Sequence, residues 1–190
     1  MIKSNDVKKY GESIRIQLAM LAAIFVVTIA FVTLSQAIAI SLNASREISA
    51  PPNQVWNIIS NVDKETQYWS SFKAIKNINK TDNMVEREVT ISAGPQNTTS
   101  HQLVTVNPEQ LKIQTNLTKG LVTGSRILEL KPISDNKSKI DVLWNLDLSG
   151  IPIADRALTE NGTRQTTEQA LSRIAQVAEY GMQSNSSGMQ

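Results

Sequence analysis

The sequence predicts an α+β protein: a curved antiparallel sheet of about seven strands gripping one long C-terminal helix, preceded by one transmembrane helix. Three observations predict it. Leu18 to Leu34 (LAMLAAIFVVTIAFVTL) is an uncharged apolar run near the start of the 190-residue chain. Downstream, turn signals recur at near-regular intervals between short alternating runs rich in β-branched residues, the pattern of an antiparallel sheet. From about Arg164 to Tyr180 the apolar residues fall at helical spacing.

At 1.5 Å per residue the seventeen positions of the apolar run extend roughly 26 Å, and continuation to Ile40 gives roughly 35 Å, enough to cross a hydrocarbon core of about 30 Å. Ten of the seventeen are Leu, Ile, Val or Phe, which favours insertion by about 3 to 6 kcal/mol. Lys3, Lys8, Lys9 and Arg15 precede the run, whereas Arg46 is the only basic residue among the twenty after Leu42. This asymmetry predicts a single-pass protein of the cell membrane, with a cytoplasmic tip (1–15), a signal-anchor helix (16–42) and an extracytoplasmic domain. Ala37-Ile38-Ala39 also has the small-x-small pattern of a signal-peptidase site, so a cleaved signal peptide is the competing reading. Both readings export the domain. Asn-x-Ser/Thr triplets at Asn43, Asn79, Asn97, Asn116, Asn136, Asn161 and Asn185 are candidate glycosylation acceptors in such a compartment.

Residues 45–181 then read as one domain and 182–190 as a polar, flexible tail. Arg46 to Ala50 is an extended lead-in stopped by Pro51-Pro52, since proline donates nothing to a ladder. Asn53 is the expected N-cap of a short helix bearing Val55, Trp56, Ile58 and Ile59, and Asp63 to Tyr68 a second helical turn or two. Six strands follow. Val85, Val89 and Ile91 alternate with Glu86, Glu88 and Thr90, and Leu111 and Ile113 with Lys112 and Gln114. In the last strand Ile140, Val142, Trp144, Leu146 and Leu148 share one face. Ala170, Leu171, Ile174, Val177, Ala178 and Met182 give the final helix a stripe to cover that face. Gly150 to Thr163 reads as a long connection before it, a lid or a surface loop.

Composition narrows the chemistry. The chain has no cysteine, which excludes disulfides, thiolate metal sites and a cysteine nucleophile. The first fifteen residues hold four basic and two acidic side chains; subtracted from totals of 19 and 17, they leave fifteen of each sign. A neutral remainder carries no electrostatic footprint for nucleic acid. His101 is the only histidine, and no phosphate loop, His-Glu-x-x-His pair or Gly-x-Ser-x-Gly elbow occurs. No catalytic residue, metal ligand or cofactor is therefore assigned.

The segment SREISAPPNQVWNIISNVDKETQYWSSFKAIK resembles the start of the START-like superfamily, also called SRPBCC or polyketide cyclase/dehydrase and lipid transport proteins. Ile48, Ala50, Pro51, Val55, Trp56, Ile59, Asp63 and Trp69 carry the likeness, which extends over roughly residues 45 to 180. The resemblance implies a helix-grip fold with an apolar cavity between sheet and long helix, used within the family for lipids, sterols and polyketides, by carriers and by cyclases.

Alternation points Arg87 inward with Val85 and Val89, and Arg126 inward with Leu128 and Leu130. Buried guanidinium groups need an anionic partner. That partner is either the acidic head of an amphiphile or a protein carboxylate such as Glu86, Glu88, Glu129 or Asp155. The expected ligand-binding set is Arg87, Arg126, Trp144, Val89, Leu128 and Trp56, with core packing the plainer role for the tryptophans. The resulting expectation is a membrane-anchored domain that binds or transfers a hydrophobic or amphiphilic small molecule. A cyclase/dehydrase-type enzyme and a non-catalytic interaction module of a membrane complex are the alternatives, and no protein partner is implied.

Overall fold

The computed structural model describes residues 39–93 and 96–186, with side chains defined for 39–92 and 97–180. The apolar run Leu18 to Leu34 and the basic tip lie outside the described residues. Among the described residues, no helix is long and apolar enough to cross a membrane.

Seven strands form one antiparallel sheet: β1 (Ala39–Ile48), β2 (Phe72–Lys80), β3 (Met84–Ala93), β4 (Gln96–Asn107), β5 (Lys112–Lys119), β6 (Thr123–Ser134) and β7 (Lys137–Asp147). Their order across the sheet is β1-β7-β6-β5-β4-β3-β2. Strands β2 to β7 are therefore a meander of hairpins, and β1 closes the far edge against β7. Between β1 and β2 come helix α1 (Pro52–Ile59) and a 3-10 helix (Val62–Gln67); after β7 comes the long helix α2 (Ile153–Ser186). The expected α+β helix-grip architecture, with seven strands and a terminal helix, is present.

Side-chain alternation decides the faces. In β7, Ile140, Val142, Trp144 and Leu146 are buried, as is Leu148 just past its end, while Asp141, Asn145 and Asp147 are not. Helix α2 covers this inner face with Thr167, Ala170, Leu171, Ile174, Ala175 and Ala178, all buried. Val177, expected on that stripe, is instead 48% exposed. Gly124 at the start of β6 has φ +129°, and a β-carbon there would collide with the backbone carbonyl of Asn145 on β7. Only glycine allows the two strands to approach at that point. Strand β2 carries register shifts between Phe72 and Ala74 and between Asn77 and Asn79.

Three boundaries differ from expectation. Ala39 to Leu42, read as the tail of the apolar span, are the first residues of β1 and pair with Asp147 to Trp144, because their alternation buries Leu42 in the sheet core. The first helix is capped by Pro51 with Pro52 in its first turn, where a fixed φ and a missing N–H cost nothing; Asn53 lies inside it. The connection expected over Gly150 to Thr163 is helical from Ile153 onward. Among the described residues, nothing beyond the helix's own backbone approaches within 4 Å of a β-carbon on Gly162, so the helix runs through it without a clash. Thr159, Thr163, Thr166 and Thr167 also donate hydroxyl bonds to carbonyls one turn back, which satisfies their side chains without ending the helix.

Candidate functional site

A row of cross-strand neighbours on the inner face builds the centre of the domain. Trp144 on β7 lies opposite Arg126 on β6, Arg126 opposite Thr115 on β5, and Arg87 on β3 opposite Gln102 on β4. Direct neighbours in such a ladder have β-carbons about 5 Å apart, so the two guanidinium groups and their polar partners converge beneath α2 and the 3-10 helix. Arg87 and Arg126 are essentially inaccessible to solvent, 0% and 1% exposed. Both point inward, as sequence alternation predicts.

Their carboxylate is Glu65, supplied by the 3-10 helix. One of its oxygens accepts from Arg87 Nη2 and the other from Arg126 Nη2. Arg87 also donates from Nη1 to the Val62 carbonyl at 2.9 Å, and from Nη2 and Nε to Gln102 Oε1 at 2.9 and 3.2 Å. Every nitrogen of Arg87 is thus engaged. Arg126 donates to Thr115 Oγ1 at 3.1 Å, but its Nε and Nη1 are buried and have no hydrogen-bond partner among the described residues. The guanidinium carbon of Arg126 lies 4.6 Å from the ring centroid of Trp69 and 5.4 Å from that of Trp144, so cation–π attraction offsets part of its desolvation. The two rings meet edge to face at 5.7 Å, and Trp144 Nε1 donates to Thr167 Oγ1 on α2 at 3.1 Å.

The electrostatics follow from this packing. Burial pushes the Glu65 carboxyl upward, but Arg126 and Arg87, by charge and by hydrogen bond, outweigh it and hold the group below its ordinary value. Burial lowers the pKa of Arg126, Glu65 raises it, and Arg87 lowers it again, with a net downward shift. A guanidinium still remains charged at neutral pH. Two positive groups and one negative leave the trio with a net charge of +1 in a setting where leaving charge uncompensated is costly.

The other expected site residues divide. Val89 and Leu128 are buried on the inner face, 0% and 2% exposed. Trp56 is only half-buried on α1 and lies outside the aromatic set around Arg126. His101 turns outward and faces Glu88 at 3.4 Å. The carboxylates considered as arginine partners are elsewhere: Glu86 and Asp155 are exposed, Glu88 faces His101, and Glu129 pairs with Lys131. Glu65 was missed because Val62-Asp63-Lys64-Glu65-Thr66-Gln67 reads as a solvated stretch. The available signal was the row Val62, Glu65, Tyr68, all buried, at the three-residue period of a 3-10 helix.

Where the resemblance implies an apolar cavity, the trio and its two tryptophans stand in the buried interior. Two surface grooves lie elsewhere, one on the outer face of the sheet around Asn43, Lys112, Glu129 and Asp141, the other along the solvent side of α2. Among the described residues, no cluster of His, Cys, Asp and Glu could hold a metal ion.

This architecture defines a helix-grip domain with a charged centre. The chain belongs to the polyketide cyclase/dehydrase and lipid transport family, whose pattern it matches over residues 39–179. Its fold is similar to that of a Thermus thermophilus protein (14% identity, 75% of this chain and 99% of that one, TM-score 0.66). It is also similar to the ZhuI aromatase/cyclase of Streptomyces sp. R1128 (10% identity, 74% and 94%, TM-score 0.67). A third likeness is to a START superfamily protein of Mycobacterium smegmatis (13% identity, 74% and 97%, TM-score 0.62). No curated protein matches the chain in sequence.

Proposed function

We propose that the domain binds a hydrophobic or amphiphilic small molecule with a single acidic head, held at Arg126 between sheet and α2, and that Leu18 to Leu34 anchors it to the outer side of the cell membrane. The observation that carries the binding reading is the pair of unpartnered nitrogens on Arg126. Buried donors without acceptors are rare and costly, and a carboxylate or similar anion would both accept from them and balance the residual charge of +1. Trp69 and Trp144 supply the apolar walls for the adjoining tail. Entry requires those side chains to shift, and Trp69, on the short stretch between the 3-10 helix and β2, is the member not fixed in the sheet. The basic residues before the apolar run and their scarcity after it support the orientation.

A cyclase-type activity needs a proton acceptor inside, and among the described residues Glu65 is the only buried acidic group. Both of its oxygens already accept from arginine and its proton affinity is lowered, which makes it a poor base. Binding is therefore favoured over catalysis.

The test is titration of the full chain with oleic acid and with oleyl alcohol, followed by tryptophan emission. The acid is expected to bind more tightly than the alcohol, and Arg126→Met to abolish the difference. Equal responses to acid and alcohol in the unmodified protein would overturn the assignment of Arg126.

A further inference from the structure

One end of the domain gathers exposed apolar side chains. The chain enters β1 at Ala39, which lies opposite Asp147 of β7, and Asp147 lies opposite Thr123 of β6. The turn between β5 and β6 meets the turn between β7 and α2 at this end: a β-carbon on Gly150 would approach the Leu121 carbonyl oxygen to 2.5 Å. Leu121 is 47% exposed, and in the first turns of α2 Ile153 and Leu158 are 81% and 73% exposed. From Ile153 to Thr166 no side chain of α2 is buried; Thr167 is the first. Fourteen residues of helix, roughly 21 Å, thus run without reaching the core.

Single exposed leucines are ordinary. What identifies an occupant here is the chain that joins this end. Only Ser35 to Ile38 stand between Leu34 and Ala39, so five Cα steps of at most about 3.6 Å limit the separation to roughly 18 Å. The opposite end of the sheet, with Ile133 near the β6–β7 hairpin, is a further strand length away: the twelve residues of β6 rise by roughly 36 Å. A bilayer reached within those few residues of Ala39 is thus within range of Leu121, Ile153 and Leu158, which share this end of the domain, whereas Ile133 lies at the other end. Charge does not oppose the contact, since Lys119, Arg156 and Arg164 at this end are matched by Asp147, Asp155 and Glu160.

We infer that the Gly120–Val122 turn and the first turns of α2 dock into a bilayer surface, with Leu121, Ile153 and Leu158 as the inserted side chains. This rests on the proposed membrane anchor. Because the local charges balance, zwitterionic lipid suffices and added salt leaves the contact intact.

The chain has no cysteine, so single-cysteine variants report one position each. The full chain carrying Leu121→Cys, Ile153→Cys, Leu158→Cys or, as a control, Ile133→Cys is labelled with an environment-sensitive fluorophore. It is then reconstituted into phosphatidylcholine vesicles containing a doxyl-labelled phosphatidylcholine. Loss of emission at positions 121, 153 and 158 with none at 133, in low and high salt alike, is the expected result. If all four positions stay bright while the chain resists alkaline carbonate extraction, the docking surface is wrong and the anchor stands. If carbonate releases the chain, the anchor fails and the docking inference falls with it. Loss at 133 as well as at the other three would overturn the assignment of one end.

Discussion

Replacing Glu65 by glutamine tests the central ion trio most directly. The carboxylate is 5% exposed and is, among the described residues, the only acidic partner of Arg87 and Arg126, themselves 0% and 1% exposed. Glutamine keeps the shape, but it removes the negative charge and turns one acceptor oxygen into an amide donor facing a guanidinium. The buried charge rises from +1 to +2. Breaking a buried pair by removing one partner costs about 3 to 5 kcal/mol. For a chain of this size each kcal/mol moves the melting midpoint by about 2 to 4 °C, so the drop should fall between roughly 6 and 20 °C. Thermal unfolding of the full chain, followed by far-UV circular dichroism, measures it. The triple variant Glu65→Leu, Arg87→Met, Arg126→Met should recover much of the loss, because apolar replacement of a whole buried ionic set is often neutral or stabilising. A shift of under about 2 °C for Glu65→Gln, equivalent to less than about 1 kcal/mol, would refute the reading of the trio as a tightly coupled, dry unit.

Two further outcomes are expected. The Glu65 carboxyl is held below its ordinary 4.5, and the Lys80 and Asn77 hydrogen bonds hold Asp63 below its ordinary 3.8. The folded state therefore binds fewer protons than the unfolded one, and this stability is fully present above those values and lost as pH falls through the depressed ones; urea titrations between pH 7 and 3 should show that decline, with a shallower slope in Glu65→Gln. Gly124→Ala should destabilise the sheet by about 2 kcal/mol or more, since it combines an unfavourable φ with a backbone collision, and normal stability of that variant would show that β6 and β7 are not tightly apposed there.

The sheet was legible because burial on one face imposes a two-residue period on every strand, and in β7 four consecutive inward positions are apolar. The same period placed Arg87 and Arg126 inside without any knowledge of their partner. Glu65 was not legible by that rule, since a 3-10 helix repeats every three residues and this one carries only two apolar neighbours in its buried row. The early start of α2 escaped for a different reason. Its first turns place no side chain in the core, so they lack the apolar stripe by which a helix is recognised. Ala39 to Leu42 were ambiguous because a short apolar stretch fits both a membrane helix and a buried strand.

Strand β2 ends the sheet, and among the described residues no eighth strand pairs with its outer row of backbone groups. Two register shifts bend this margin, and Lys73, Lys76 and Lys80 stand exposed along it. Charged, kinked margins are poor templates for the strands of neighbouring molecules. Copies meeting along this margin would accordingly remain separate instead of zipping into a continuous ribbon.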